Sequence, residues 1–356
     1  MIRSIKRIAV ALVLLLMVAI GYYAYAFINF ANNIQGGPES GKFGNLNTTP
    51  INKTEESLVP PKWEGKERVN VLLLGGDSRS SKPNEIPRSD TLMVASIDPV
   101  TKKAALLSVL RDTYVRIPGY GNDRINASVT YGGPQLAMKT VSDLLGIPIQ
   151  YYVYTDFQGF IALVDAIGGI EIDVEKDMKY TDSADGHKFD INLKKGYQHL
   201  DGTHALQYVR FRHDALSDFS RTERQRKFLQ AVAQKMQSTT SIIRLPKILN
   251  SVDPYIETNL STTDMLKLAV LAFDAKAEGM ASAQVPPSHL LIEKRVGGAD
   301  VLMVSNQKKL HAYLQDLFKE EPADETEPAG GESSTAGGGA PAAAVSNDTG
   351  RGSSRR

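Results

Sequence analysis

The chain contains no cysteine among its 356 residues. This absence excludes disulfide bonds, catalysis by a thiolate, and zinc or iron–sulfur centres that depend on cysteine ligands. An excess of charge of either sign is also missing, because 41 Lys and Arg residues are balanced by 40 Asp and Glu residues. Proteins that attract nucleic acid through a long-range field carry a marked basic excess. We therefore expect no nucleic-acid partner.

Charged residues are absent from one long segment near the N-terminus. Three basic residues occur among the first seven, no charge follows before Glu39, and residues 8–28 form an apolar run. A run of this length spans a bilayer, and basic residues before it place the N-terminus in the cytoplasm. A cleaved signal peptide is the alternative, because residues 24–26 (AYA) have the pattern of a cleavage site. We favour a retained anchor, since the run exceeds the ~7 to 15 residues of a signal peptide.

The composition changes along the chain and indicates its domain boundaries. After the apolar run the sequence is rich in Asn, Gly, Pro, Ser and Thr without periodicity, which is typical of a spacer. The C-terminal end is acidic and then rich in Gly, Ala and Ser, so it cannot bury a core and should be disordered. We predict a cytoplasmic N-terminus (1–7), a transmembrane anchor (8–28), an extracytoplasmic spacer (29–66), a catalytic domain (67–320) and a disordered tail (321–356).

The body of the chain alternates between strand and helix patterns. The predicted strands are 68–75, 91–98, 103–111, 150–155 and 170–174, and two of the first three are almost continuously apolar, as buried strands are. The predicted helices are 133–145, 156–166, 202–206, 221–236, 262–275 and 306–319. This alternation predicts an α/β fold, a three-layer α/β/α sandwich with a central mixed sheet, in addition to the N-terminal transmembrane helix.

The segment 205–228 concentrates arginines in an unusual pattern. Tyr208, Arg210 and Arg212 alternate with apolar residues, so an extended chain would place both guanidinium groups on one face. Like charges side by side on a sheet repel each other unless an anion lies between them. Ser220 and Glu223 have the spacing of a capping box, which predicts a helix that begins at the next residue, 221.

That predicted helix start places Arg221, Arg224 and Gln225 on one side of the first turns. Cations at a helix N-terminus oppose the helix dipole, and a bound anion would remove the conflict. The sequence therefore indicates an anion site. The alternative is a solvated arginine face that pairs with Asp218 and Glu223.

A second polar cluster follows the first predicted strand. Asp77 comes just after that strand and Asp90 just before the next, so the two carboxylates could share a hard cation such as magnesium. The alternative is turn chemistry, because Asp is common in loops rich in Gly, Ser and Pro. Arg111, at the end of another strand, brings a guanidinium to the same edge, or pairs structurally with Asp112.

Taken together, these segments resemble the LytR-CpsA-Psr family. The resemblance runs from about 69 to 229 and rests on GGDSR, RSDT, SVLRDTYVRIPG, RINASVTYGG, DFQGFIALVDAIGGIEIDV and GYQHLDGTHALQYVRFRHDALSDFSRTERQRKFL. It implies an α/β/α fold with a deep apolar pocket for a polyprenyl chain, an arginine-lined mouth for pyrophosphate, and Mg²⁺ as cofactor.

The resemblance also implies roles for individual residues. Asp77 and Asp90 match the metal-associated carboxylates. The expected pyrophosphate-binding positions, with Arg224 added from the helix register, are Arg79, Arg88, Arg111, Lys139, Arg210, Arg212, Arg221, Arg224 and Gln225. The expected catalytic residues are Arg111, Asp218 and Arg221, with Asp218 assisting the acceptor hydroxyl.

The activity that the resemblance implies is that of a phosphotransferase at the cell membrane. It would move an anionic glycopolymer of the teichoic acid or capsule kind from a polyprenyl (undecaprenyl) pyrophosphate carrier to peptidoglycan, with the catalytic domain outside the cell. Such a reaction depends on positioning and charge neutralisation more than on covalent catalysis. A polyprenyl pyrophosphate hydrolase and a non-catalytic lipid-carrier or wall-binding module are the alternatives.

The uncharged run 8–28 generates a first prediction. The intact chain should fractionate with membranes, and its body should be accessible to protease from outside the cell, because the run spans the bilayer. Cell fractionation with N-terminal sequencing measures this. A soluble mature form that begins near Phe27 would show cleavage after residues 24–26 and no retained anchor.

Overall fold

The structure is a computed structural model that describes residues 2–35, 43, 58, 60–76, 89–181, 186–187, 190–212, 217–275 and 280–319. Its helices are α1 (Ile2–Ile34), α2 (Ala127–Leu145), α3 (Phe157–Ala166), α4 (Gly202–Arg210), α5 (Ser217–Met236), α6 (Thr239–Ile243), α7 (Leu245–Val252), α8 (Thr262–Asp274) and α9 (Gln307–Lys319). Its strands are β1 (Val69–Gly76), β2 (Ser89–Ile97), β3 (Ala104–Val109), β4 (Tyr114–Ile117), β5 (Gly121–Arg124), β6 (Tyr151–Asp156), β7 (Ile170–Val174), β8 (Met178–Tyr180), β9 (Ile191–Leu193), β10 (Gly196–Leu200), β11 (Ile256–Thr258), β12 (Ala281–Val285), β13 (Leu291–Val296) and β14 (Ala299–Val304). The predicted tail 321–356 lies outside the described residues.

Six strands form a mixed sheet in the order β11-β6-β1-β2-β3-β12. Strand β1 pairs in parallel with β6, and β3 in parallel with β12, whereas the remaining neighbours are antiparallel. The continuous apolar run of β1 serves both faces of this sheet. Leu72 and Leu74 are buried in the core on one face, and Leu73 lines a cavity on the other. This explains why the strand lacks an alternation of polar and apolar residues.

Helices cover both faces of the sheet, as the sequence predicts. Helices α2 and α9 bury Val141, Leu310 and Leu314 in the cluster that contains Leu72 and Leu74. Helices α3, α4 and α5 lie on the other face and form a second cluster with β7 and β9. The predicted three-layer α/β/α sandwich with a mixed central sheet is confirmed.

The N-terminal helix α1 does not end where the apolar run of the sequence ends. It continues to Ile34, and Phe30, Ala31 and Ile34 are buried against the domain in a cluster that includes Trp63 and Tyr151. The prediction of a spacer that begins at residue 29 is therefore wrong for its first residues. Helix formation persists because these side chains have a core in which to bury apolar surface.

The apolar helix from Ser4 to Ile34 is long and apolar enough to cross a membrane. Two polar contacts fix its C-terminal end to the domain in addition to the apolar packing. Asn33 Nδ2 donates to Asp253 Oδ2 at 2.8 Å, and Gln35 Nε2 donates to Thr262 Oγ1 at 3.1 Å. The helix is thus an anchor that is rigidly joined to the domain.

This packing generates a second prediction. Phe30→Ala should lower the free energy of unfolding by about 3 kcal/mol or more, because it leaves a cavity between α1 and the domain. A loss of that size lowers the melting temperature by roughly 6 °C or more, measured on the full chain in detergent. Tyr25→Ala is the matched control, since Tyr25 is 70% exposed. Equal melting temperatures for the two variants would show that α1 does not pack on the domain.

Candidate functional site

A cavity of about 520 Å³ lies between the sheet and helices α3, α4 and α5. Its residues come from the four adjacent strands β11, β6, β1 and β2, from β8 and β9, and from the three helices that cover the sheet. The lining residues include Leu73, Gly75, Gly76, Asp90, Thr91, Met93, Val153, Thr155, Phe157, Phe160, Leu163, Tyr180, Ile191, Leu206, Val209, Arg210, Arg212, Arg221, Gln225, Phe228, Leu229 and Ile256. Most of this surface is apolar, and the charged groups gather at one end. The cavity therefore suits an amphiphile, with an apolar chain and an anionic head.

Aromatic and branched side chains build the apolar part of the cavity. Phe160 of α3 stacks on Phe228 of α5 with ring centroids 4.4 Å apart. Met93 and Val153 contribute from the sheet floor. Helix α3 is fixed at its start by Asp156, whose carboxylate accepts a hydrogen bond from the amide of Gly159 at 3.0 Å.

Asp90 holds two arginines at the polar end. Arg111 Nη1 lies 2.6 Å from Asp90 Oδ1, and Arg212 Nη2 lies 3.4 Å from Asp90 Oδ2. Arg111 also contacts Asp112, which in turn pairs with Arg124 at 3.2 Å. The result is an alternating chain of carboxylates and guanidinium groups, each of which orients the next.

Helix α5 supplies a buried guanidinium and an amide to the same end. Arg221 is about 2% exposed, and its Nη2 lies 2.6 Å from Asp218 Oδ1. Nothing in the described part of the chain accepts a hydrogen bond from its buried Nε. One turn later, Gln225 Nε2 donates to Thr91 Oγ1 at 2.9 Å, which ties α5 to β2. A buried donor without an acceptor is costly, so the geometry favours an anion at this point.

The predicted helix 202–206 is longer than expected and includes Tyr208 and Arg210, so the extended conformation considered for these residues does not occur. The side chain of Asp201 caps this helix and accepts from the amide of His204 at 2.9 Å. Tyr208 and Val209 both face the core, which explains why an apparent alternation is compatible with a helix. Arg210 and Arg212 still line the cavity, since α4 ends there, and Arg210 lies over the Phe157 ring at 5.1 Å.

The predicted start of the next helix at residue 221 is also wrong. Helix α5 includes Ser217–Met236, so Ser220 lies within it and does not cap it. Arg221 therefore lies beyond the first turn, where the helix dipole acts only weakly. The argument for an anion site rests instead on the burial of Arg221 and on its unsatisfied Nε.

Three expected pyrophosphate-binding residues within the described ranges do not line the cavity: Arg111, Arg224 and Lys139. Arg111 lies next to the cavity through its contact with Asp90. Arg224 is fully buried, with its Nε 2.6 Å from Glu175 Oε1 and its Nη1 donating to the carbonyl of Phe211 at 2.7 Å. Lys139 lies on α2 and pairs with Asp143 at 2.6 Å. This geometry gives Arg224 a structural role behind the site, where it holds the end of α4 in place.

The carboxyl group of Asp218 has a raised pKa. Burial raises its pKa above the ordinary value, and Asp112 and Asp90 add to the rise, whereas Arg212 and Arg111 oppose it. Asp218 is therefore poised to exchange a proton nearer neutral pH than an exposed aspartate. Its contact with Arg221 places it beside the expected anion.

The expected metal and loop residues are only partly described. Asp77, Arg79 and Arg88 lie outside the described residues. Within the described ranges, no group of three or more His, Asp or Glu side chains is arranged to hold a metal. Magnesium commonly takes one or two carboxylates with phosphate and water as further ligands. Asp90, which lines the cavity, fits that donor set.

Sequence reasoning missed several residues of the site. Thr91 and Glu175, which hold Gln225 and Arg224, have partners 134 and 49 residues away in sequence. In the sequence, the phenylalanines that line the cavity cannot be distinguished from ordinary core positions of a helix. The family motifs DFQGF and RQRKF, which contain Phe157, Phe160 and Phe228, were the one signal that could have identified them.

Comparisons with known proteins agree with this geometry. The chain is 42% identical over 227 residues to the polyisoprenyl-teichoic acid–peptidoglycan teichoic acid transferase TagU of Enterococcus faecalis, an alignment that covers 62% of this chain and 72% of TagU. It is 35% identical over 228 residues to the regulatory protein MsrR of Staphylococcus aureus, which covers 64% of this chain and 66% of MsrR, just under two thirds.

The fold has solved counterparts as well. A structure of TagT from Bacillus subtilis with bound octaprenyl pyrophosphate superposes with a TM-score of 0.54 and 27% identity, over 76% of this chain and 94% of that one. The model of the LytR_cpsA_psr family matches residues 40–318, a range that contains every described residue of the cavity. Because that match covers well over half of the length of this chain, the chain belongs to the LytR-CpsA-Psr family.

Proposed function

We propose that this protein transfers an anionic glycopolymer, of the teichoic acid or capsule kind, from a polyprenyl pyrophosphate carrier to peptidoglycan. The observation that carries the proposal is a cavity that is apolar along most of its length and has Arg212 and Arg221 at one end, where Asp90 pairs with the adjacent Arg111. A lipid pyrophosphate has the same division between chain and head. The name of TagU and the octaprenyl pyrophosphate bound to TagT support this assignment.

The proposed reaction is one phosphoryl transfer. A hydroxyl of the acceptor sugar forms a bond to the phosphorus that carries the glycopolymer, and the bond from that phosphorus to the bridging oxygen breaks. Polyprenyl phosphate leaves with the electron pair. The guanidinium groups of Arg111, Arg212 and Arg221 donate hydrogen bonds to the phosphate oxygens and neutralise their charge. The free Nε of Arg221 gains an acceptor in the process.

Asp218 takes the proton of the attacking hydroxyl in this scheme. Its raised pKa makes it a better base than an exposed aspartate, and Arg221 holds its carboxylate at the anion site. We also propose that Asp90, together with Asp77, would hold Mg²⁺, which would neutralise further charge on the pyrophosphate. The arginines and Asp218 keep their roles whatever the metal.

The same proposal fixes an orientation for the chain. The anchor α1 carries basic residues at its start, with Lys6 and Arg7 just before the apolar run. These residues favour a cytoplasmic N-terminus and an extracytoplasmic domain. Peptidoglycan lies on that side of the membrane, so the orientation agrees with the proposed acceptor.

Two neighbouring arginines of α5 provide a matched test. Arg221→Met should lower the transfer rate by about ten- to hundred-fold, because it removes a charge-assisted contact worth roughly 1.5 to 3 kcal/mol. Its melting temperature should fall only a little, because the partner that it leaves, Asp218, keeps 23% of its side chain exposed to water. Arg224→Met should instead lower the melting temperature, because it leaves the Phe211 carbonyl without its donor.

Transfer is measured from a lipid-linked glycopolymer to a peptidoglycan acceptor, and stability by thermal denaturation. Methionine retains the apolar stem of arginine in both variants, so packing is matched. If Arg221→Met melted early and kept its transfer rate, the anion site would be a structural ion pair and the proposal would fail.

The pH dependence of transfer tests the proposed base. Asp218 must be ionised to accept a proton, so the rate should fall as pH drops through its raised pKa. The acid inflection should therefore lie above the ordinary aspartate pKa of about 3.9. Asp218→Asn should give a low rate without that inflection. Retention of the same acid limb in Asp218→Asn would assign the inflection to another group.

A further inference from the structure

The short helix α6 ends in two apolar residues that the domain does not cover. Ile242 is 41% exposed and Ile243 is 65% exposed. Neighbouring apolar residues at a helix end are normally turned into the core, and Ser241 of the same helix is buried instead. The tip of α6, defined as Ile242 and Ile243, is therefore a small exposed apolar surface.

The anchor helix identifies a partner for this surface. The hydroxyl of Tyr23 in α1 donates to the backbone carbonyl of Ile243 at 2.6 Å. Tyr23 belongs to the apolar part of α1 that a bilayer must surround, together with the exposed Tyr22 and Tyr25. The tip of α6 is thus bonded to a membrane-spanning segment.

The depth of this contact follows from helix geometry. Tyr23 comes about 16 residues after Arg7, the last cation before the apolar run, which is a rise of about 24 Å at 1.5 Å per residue. The hydrocarbon core of a bilayer is about 30 Å thick. The backbone of Tyr23 therefore lies roughly 6 Å inside the far boundary of the core, and its ring reaches that boundary. Tyrosines concentrate at this level because their rings are amphipathic.

A second contact gives the direction in which the domain extends along α1. Asn33 donates to Asp253, just as Tyr23 donates to Ile243, so positions ten residues apart on α1 meet positions ten residues apart beyond α6. Helix α7 therefore runs beside α1 in the same direction and rises away from the bilayer. Arg244, the residue before α7, and Lys247, in its first turn, are exposed cations. Cations directly above apolar residues suit lipid phosphates at the membrane surface.

We propose that Ile242 and Ile243 insert into the lipid interface of the leaflet that faces the domain. They form a membrane contact that is separate from the α1 span. The partner of this surface is a phospholipid bilayer. The isoleucines lie among the parts of the acyl chains next to the headgroups, and Arg244 and Lys247 lie at the level of the phosphates. This contact prevents the domain from tilting on its anchor, and so holds the cavity in one orientation to the membrane that carries its lipid substrate. It is independent of the reaction that the cavity performs.

The lack of native cysteine makes a direct test possible. A single cysteine is introduced by Ile243→Cys or, as a control, by Ile292→Cys, and each is labelled with a polarity-sensitive fluorophore. Ile292 is also an exposed isoleucine, at 45%, but it lies on β13. The full chain, with its anchor verified by mass, is placed at one copy per phospholipid nanodisc. Lipids that carry a spin label high on the acyl chain act as quencher.

The probe at 243 should show blue-shifted emission and lose fluorescence to the spin-labelled lipid, and the probe at 292 should show neither. Both sites are exposed, so labelling should leave the melting temperature unchanged. Equal and weak quenching at the two sites would overturn the proposal. A blue shift at 243 without quenching would also overturn it, because the tip would then be covered by protein, such as a second copy, rather than by lipid.

Discussion

The polar end of the cavity depends on the two ion pairs that the carboxylate of Asp90 makes. This carboxylate lies between Arg111 and Arg212, two cations that would otherwise repel each other at close range. Asp112 lies between Arg111 and Arg124 in the same way, and Asp218 pairs with Arg221. The carboxylates orient the guanidinium groups before any substrate arrives. Charge stabilisation of this preorganised kind needs no rearrangement during the reaction.

The apolar part of the cavity limits which ligands the arginine cluster can bind. A cluster of cations alone would accept many anions, but here Phe160 and Phe228 continue directly from Arg221 and Gln225. Only a ligand with an anionic head and a long apolar chain fills both parts. The anchor α1 adds a further constraint, because Phe30 and Ile34 pack directly against the domain. A ligand with a long apolar chain resides in a membrane, and so does the anchor α1.

Local patterns in the sequence predicted much of this fold. The leucine run of β1 identified a buried strand to within one residue at each end, and the turn after Ala166 closed α3 as expected. Two sequence patterns that are compatible with more than one local structure led to wrong predictions. The alternation around Arg210 fits a strand and also the end of a capped helix, and the capping-box spacing at Ser220 occurs inside α5. Pairs such as Arg224 with Glu175 could not be predicted, because residues far apart in sequence leave no periodic signal.

The most direct measurement of the central claim follows a labelled lipid-linked glycopolymer in membranes that contain the full chain, with and without peptidoglycan. The account predicts that the label becomes attached to peptidoglycan through a phosphodiester. It also predicts that polyprenyl phosphate appears in equal amount and only when the acceptor is present. Release of free glycopolymer phosphate at the same rate without peptidoglycan would identify a hydrolase. Binding of the lipid with no product in either case would identify a carrier-binding module, and either result would contradict the account.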